Sequence, residues 1–273
     1  MNLYALQYSI AWEDRRGNFE TIARLLGELQ PEAGSLVVLP ELSDVGFSMN
    51  HPQFSQAPGG PSFQQYADWA RQWKVFLVAG CCGRSPQGRG LNLALVHSPE
   101  GELLGSYAKL HPFSFAGETA HYESGSELVT FAMGEWRVAP TICYDLRFPE
   151  LFRHLVVRGC ELFLVIANWP RARVHHWEAL LQARAIENQA YVLGVNRCGS
   201  DPKVDYPGAT QLWDPQGQRV ARLGDEPGRL QARLDLDELR AYRARFPALQ
   251  DLKPRLLGLE SSASCAASGG SPG

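Results

Sequence analysis

The chain has 273 residues, 45% of them hydrophobic and 20% charged, with a formal net charge of −3. That composition describes a globular protein with a sizeable core, and its charge gives no electrostatic reason to expect nucleic acid or an anionic membrane as partner. No apolar run reaches the roughly 18–20 residues that cross a bilayer, and the first seven residues, Met1-Asn-Leu-Tyr-Ala-Leu-Gln, contain no basic n-region of a signal peptide.

Strand-like and helix-like patterns alternate along the chain. Residues 3–8 read as a strand, 19–29 as an amphipathic helix, and 35–40 as a fully apolar strand that runs into Glu41. A helix over 63–73 and a strand over 75–80 follow, the latter ending at the adjacent Cys81 and Cys82, which read as core thiols. Strands 91–97 and 102–108 flank the turn Ser98-Pro-Glu-Gly101, and strands 127–131 and 136–143 are joined through Met133-Gly-Glu135. Residues 150–158 are helical, 162–167 a strand and 174–188 a long helix. Strands 191–196, 209–213 and 219–223 follow, the last two joined by Asp214-Pro-Gln-Gly217. Hairpins mixed with helical crossovers imply two packed sheets with helices outside, in one domain over residues 1–258. The end from Ser261 is rich in Ser, Ala and Gly, so 259–273 is expected to be a disordered tail. The six cysteines (Cys81, Cys82, Cys143, Cys160, Cys198, Cys265) show no CxxC spacing and read as reduced thiols of a cytoplasmic protein.

Three strand ends carry chemistry. In Thr141-Ile-Cys143-Tyr-Asp-Leu-Arg-Phe-Pro149-Glu, a thiol ends an apolar strand just before a helix start. Leu39-Pro-Glu41 ends another strand with a carboxylate, and Tyr107-Ala-Lys109 ends a third with a cation. Taken singly, these read as a buried thiol, a solvated carboxylate and a surface lysine. Taken together, they supply a nucleophile, a base for its proton, and a cation for a developing oxyanion. The backbone N–H of Tyr144, next to the thiol, is the natural second oxyanion donor beside Lys109. No G-x-S-x-G elbow offers a serine alternative.

The order Glu41 in LPELSDVGF, Lys109 in AKLHPF and Cys143 in TICYDLRFPE resembles the nitrilase superfamily of carbon–nitrogen hydrolases, over roughly residues 2–250. Further matching segments are Asn168-Trp-Pro with Arg173 and His176, then 183–192 and 194–197. The resemblance implies an α/β fold, the four-layer α-β-β-α sandwich of the nitrilase superfamily, a Glu-Lys-Cys triad, no cofactor or metal, and a homodimer. It also implies a second glutamate that orients the lysine, for which Glu118 has the matching spacing.

Within the superfamily the segments most resemble the ω-amidase branch. That implies hydrolysis of the terminal amide of 2-oxoglutaramate or 2-oxosuccinamate to acid and ammonia through a cysteine thioester. The carboxylate of such a small-molecule amide needs a cation, with Arg147 and Arg173 as candidates. Phe115, Tyr144 and Trp169 are candidate apolar walls. The histidines 111, 121, 175 and 176 fit no zinc spacing. The alternatives are an amidase of the same superfamily acting on deaminated glutathione or an N-carbamoyl compound, and a non-catalytic scaffold of the same fold.

Overall fold

A computed structural model describes residues 1–258; the expected tail over 259–273, with Cys265, lies outside the described residues. The first half of the chain forms β1 (Asn2–Gln7), α1 (Arg15–Leu29), β2 (Leu36–Val38), α2 (His51–Phe54), α3 (Pro61–Trp73), β3 (Phe76–Arg84), β4 (Gly90–His97) and β5 (Leu103–Ala108). The turn α4 (Glu118–His121) then leads to β6 (Phe131–Met133), β7 (Trp136–Ile142), α5 (Pro149–Val157), β8 (Leu162–Ala167), α6 (Val174–Asn188) and β9 (Tyr191–Asn196). The remainder is β10 (Cys198–Ser200), β11 (Asp205–Pro207), β12 (Gln211–Trp213), β13 (Arg219–Arg222), β14 (Gly228–Arg233) and α7 (Leu236–Arg245).

Two six-stranded sheets result, ordered β14-β1-β2-β3-β4-β5 and β13-β12-β9-β8-β7-β6. The centre of each is parallel, β1-β2-β3 in one and β7-β8-β9 in the other, with antiparallel strands outside. Alternation along the first sheet explains the layers. Leu3, Ala5, Val78, Ala94 and Val96 join the core shared with the second sheet. Their neighbours Tyr4, Leu6, Leu77, Ala79, Leu93 and Leu95 pack outward with Ile22 and Leu26 of α1 and Phe63 and Tyr66 of α3. Leu151 and Phe152 of α5 and Trp177 and Leu181 of α6 cover the second sheet. The result is the expected α-β-β-α sandwich. The central strands β2, β8 and β9 are buried on both faces, so their sequences are nearly continuously apolar rather than alternating.

Several elements differ from the sequence reading. Helix α1 begins at Arg15, because Asp14 caps it by accepting from the N–H of Gly17. Strand β3 runs on to Arg84, which places Cys81 and Cys82 inside it, both fully buried. The strand expected over 127–131 is only Phe131–Met133, paired with Trp136–Val138. Strand β14 and helix α7 have no counterpart in the sequence reading, and β14 closes the first sheet by pairing antiparallel with β1 from Asn2↔Arg233 to Gln7↔Gly228.

At the end of β4, His97 is 1% exposed and its Nδ1 has no hydrogen-bond partner. Burial pushes its pKa from 6.5 down to about 4. An unfolded chain therefore takes up a proton between those values that the folded chain refuses. The contribution is intact above the unfolded value and is lost as pH falls from there through the folded value, by about 3 kcal/mol in all. Denaturant unfolding of wild type and His97→Leu between pH 7 and pH 4 checks this; equal acid sensitivity of the two proteins would contradict it.

Candidate active site

Glu41, Lys109 and Cys143 each stand within three residues of a strand's carboxyl end, the first two after β2 and β5 of the first sheet, the third after β7 of the second. Glu41 is held by a turn seated directly on β3. Gly80 N–H donates to the carbonyl of Pro40 at 3.1 Å, and the Gly80 carbonyl accepts from Ser43 N and Oγ at 3.2 and 2.9 Å. Leu42, next in the chain, takes a left-handed φ of +44°, and Cys143 one of +47°. Both are non-glycine residues in a region that costs about 1–2 kcal/mol, strain typical of groups displayed at a functional site. At Cys143 the chain leaves β7 and enters a 3₁₀ turn through Arg147, so the thiol is turned out of the strand.

The carboxylates of Glu41 and Glu118 are both fully buried, and Lys109 is 1% exposed between them. The lysine Nζ donates to Glu41 Oε1 at 2.9 Å and to Glu118 Oε2 and Oε1 at 2.9 and 3.2 Å. Glu118 also accepts from the Phe113 N–H, and Asn92 Nδ2 reaches both carboxylates, Glu41 Oε1 at 2.7 Å and Glu118 Oε1 at 3.0 Å. From the second sheet, Asn168 donates to Glu41 Oε2 through its backbone N–H at 2.7 Å and its Nδ2 at 3.1 Å. Glu41 therefore receives four donors, two on each oxygen.

Charge states follow from this packing. Burial alone would lower the pKa of Lys109, but the adjacent Glu118 and Glu41 carboxylates outweigh it, and the group remains an ammonium. Burial and the Glu41 charge push the Cys143 thiol well above its ordinary value, only partly offset by Lys109. A resting thiol here keeps its proton and needs a base at the moment it attacks. The N–H of Tyr144 lies in the first turn of the 3₁₀ helix, where backbone donors have no partner within the helix.

Above the thiol opens a cavity of about 320 Å³, lined by Lys109, Cys143, Tyr144, Arg147, Trp169 and Arg173 among others. Arg147 lies over the rings of Trp169 and Tyr144, at 4.9 and 5.9 Å, and its Nη2 donates to His176 Nδ1 at 3.1 Å. Arg173 sits 5.4 Å over Phe113. Burial and the repulsion of Arg173 lower the pKa of Arg147. Neither arginine pairs with a carboxylate among the described residues.

Of the expected wall residues, Tyr144 and Trp169 line the cavity. Phe115 does not. The turn Ser114–Ala116 points it outward, where it is 83% exposed, and Phe113 takes the wall position instead. The four histidines serve separate contacts: His111 Nδ1 bonds Asp145 at 2.8 Å, and the rings of His175 and His176 meet edge to face, 4.1 Å apart. Among the described residues no cluster of His, Cys, Asp or Glu is arranged to hold a metal ion.

The sequence assigns no role to Asn92, Asn168 or Asp145, although the last two stand in the matching segments. Asn92 lay inside a run read only as a hairpin strand. Its signal was a lone amide among apolar neighbours, which needs buried partners.

The family model described as carbon-nitrogen hydrolase matches residues 4–244. Among relatives, the omega-amidase YafV of Yersinia enterocolitica is 39% identical, covering 94% of this chain and 98% of its own. A 2-oxoglutaramate amidase of Bacillus subtilis is 31% identical, over 92% and 97%. Among solved structures, XC1258 from Xanthomonas campestris, described as a CN-hydrolase superfamily protein with an arsenic adduct in its active site, superposes with a TM-score of 0.88. It is 33% identical, covering 93% of this chain and 97% of its own.

Proposed function

The chain belongs to the carbon-nitrogen hydrolase family, and on that footing we propose that it is an ω-amidase, releasing ammonia from the terminal amide of a small 2-oxo-dicarboxylate monoamide. The observation that carries this reading is that Arg147 and Arg173, neither paired with a carboxylate among the described residues, line one cavity with the Cys143 thiol and the Lys109 ammonium, which is bonded to the buried four-donor carboxylate of Glu41. Relatives named as ω-amidase and 2-oxoglutaramate amidase support the same substrate class.

The chemistry follows from the protonation states. As the Cys143 sulfur bonds to the amide carbon, its proton passes to Glu41, and the carbonyl π pair becomes an oxyanion held by Lys109 Nζ and the Tyr144 N–H. Collapse breaks the carbon–nitrogen bond while Glu41 returns the proton to the leaving nitrogen, giving ammonia and a thioester. Water then attacks the thioester, again losing a proton to Glu41, and the acid departs as the sulfur regains its hydrogen. Glu118 touches no reacting atom; with the Phe113 N–H and Asn92 it fixes Lys109.

The test compares 2-oxosuccinamate with propionamide, which lacks the remote carboxylate. Arg147→Gln or Arg173→Gln is expected to cost about 10²-fold in kcat/KM for the first, mostly through KM, and under about threefold for the second. Equal losses on both would remove the arginines from carboxylate binding. No ammonia from either 2-oxo amide, in a protein whose Cys143 is still alkylated ahead of the buried cysteines, would reject the substrate class and bring deaminated glutathione and N-carbamoyl compounds forward.

The same reading makes the enzyme a cytoplasmic homodimer. Five described cysteines are all free, which suits a reducing compartment. Val157 of α5 and Ile186 of α6 are 38% and 50% exposed on the outer helices, where a second copy would cover them.

A further inference from the structure

Asp145, two residues after the nucleophile, is fully buried and accepts four hydrogen bonds. One is local, the back-bond from Ile142 N to Oδ2 at 3.0 Å that closes the turn after β7. The other three come from the segment that carries Lys109. Tyr107 Oη donates to Oδ2 at 2.7 Å, and His111 donates to Oδ1 through its backbone N–H at 3.0 Å and its ring Nδ1 at 2.8 Å. Tyr107 and His111 bracket Lys109, and Ile142 directly precedes Cys143. The His111 ring is also stacked on Phe148 at 3.7 Å and 8°, just beyond the same turn.

Turn closure alone would need one of these four bonds. The others join the exit of β5, in the first sheet, to the exit of β7, in the second. We propose that Asp145 is a positioning residue that sets the distance between the Cys143 sulfur and the Lys109 ammonium, so that both meet one substrate carbonyl. The proposal rests on Cys143 being the nucleophile, as read above.

A carboxylate is required because every one of its partners arrives as a donor. The side-chain amide introduced by Asp145→Asn has one oxygen only. With that oxygen turned toward His111, the NH₂ is set against the Ile142 N–H; with it turned toward Ile142, the NH₂ is set against the His111 N–H. Tyr107 and the imidazole can reverse roles as donor or acceptor, but a backbone N–H cannot. One of the two strand exits is therefore released in either orientation.

The experiment measures kcat, KM and the iodoacetamide alkylation rate of each cysteine in wild type, Asp145→Asn and Tyr107→Phe. Expected are a kcat loss of about 10²-fold for Asp145→Asn and about tenfold for Tyr107→Phe, with KM within about threefold. Alkylation of Cys143 slows in parallel, while the buried Cys81, Cys82, Cys160 and Cys198 stay unreactive. A merely structural role would instead leave Cys143 alkylation unchanged, or open the buried thiols together with a fall in Tm, and either result overturns the proposal. If Asp145→Asn does not fold, Tyr107→Phe carries the same test, since it removes one bond and keeps the ring. Should wild-type Cys143 react no faster than the buried thiols, the nucleophile assignment fails, and not the clasp alone.

Discussion

Glu41→Gln is expected to lower kcat/KM by about 10⁴-fold, and Cys143→Ala to match it. The substitution keeps the side chain's volume and removes its capacity to hold a proton. Burial, the largest of the causes that push the Cys143 thiol up, persists in the variant together with the Glu118 charge, so the thiol still meets the substrate with its proton on and has lost the group that takes it. The loss has a second component. Glu41 oxygens face Asn92, Lys109 and two donors of Asn168, and a glutamine NH₂ must meet one pair of them head-on. That leaves buried donors unpaired at about 1–3 kcal/mol each, so Tm falls as well. Ammonia release from 2-oxosuccinamate gives the activity, and thermal unfolding the stability. The double variant should lose no more activity than either single one, because base and nucleophile act in one step. Retention of more than about a tenth of wild-type kcat/KM by Glu41→Gln would assign the proton to another group.

Gly80→Ala tests the seat of that base from behind. A Cβ at Gly80 would stand 2.2 Å from Leu42 N, 2.4 Å from the Pro40 oxygen and 2.6 Å from the Glu41 carbonyl carbon. All three are backbone atoms of the turn carrying Glu41, so no side chain can swing aside. The strand and turn must part, at a cost of about 3 kcal/mol. Glu41 moves with the turn, and a misplacement near 1 Å costs roughly 10²-fold in kcat. Gly27→Ala is the control. It lies inside α1 with nothing within 4 Å of the added methyl, so it is expected to stabilise the fold by about 0.5–1 kcal/mol. Wild-type kcat and Tm in Gly80→Ala would show that the turn is not fixed by this contact.

The strands that form the centres of the sheets are legible in the sequence because burial on both faces writes an unbroken apolar run, as in Leu162–Ala167. Glu41 and Cys143 are legible because each follows such a run, whereas Lys109 follows the largely exposed β5 and is legible through its order and spacing with the other two. What escapes has weaker or non-local signals. Strand β14 shows apolar–polar alternation in Arg229-Leu-Gln-Ala-Arg, a half-buried edge pattern. Helix α7 opens with Asp235 accepting from Glu238 N, a cap that the Asp-x-x-Glu spacing signals. The strand over 127–131 is shorter than its β-formers suggest, because they lack a partner beyond the short pairing of β6. Asn92 is marked only as a lone amide in an apolar run, and the roles of Asn168 and Asp145 rest on partners tens of residues away. The outward turn of Phe115 depends on a single 3₁₀ turn, below the resolution of any periodic pattern.

The order in which the chain is made gives the cross-sheet cradle of Glu41 a further meaning. Base and lysine leave the ribosome first, the thiol follows, and the Asn168 donors to Glu41 come only afterwards. The strand that seals the edge of β1, residues 228–233, emerges after every other strand of the two sheets. A nascent or prematurely terminated chain thus carries a reactive-type cysteine without an aligned base, and hydrolytic competence arrives as one late event rather than by degrees.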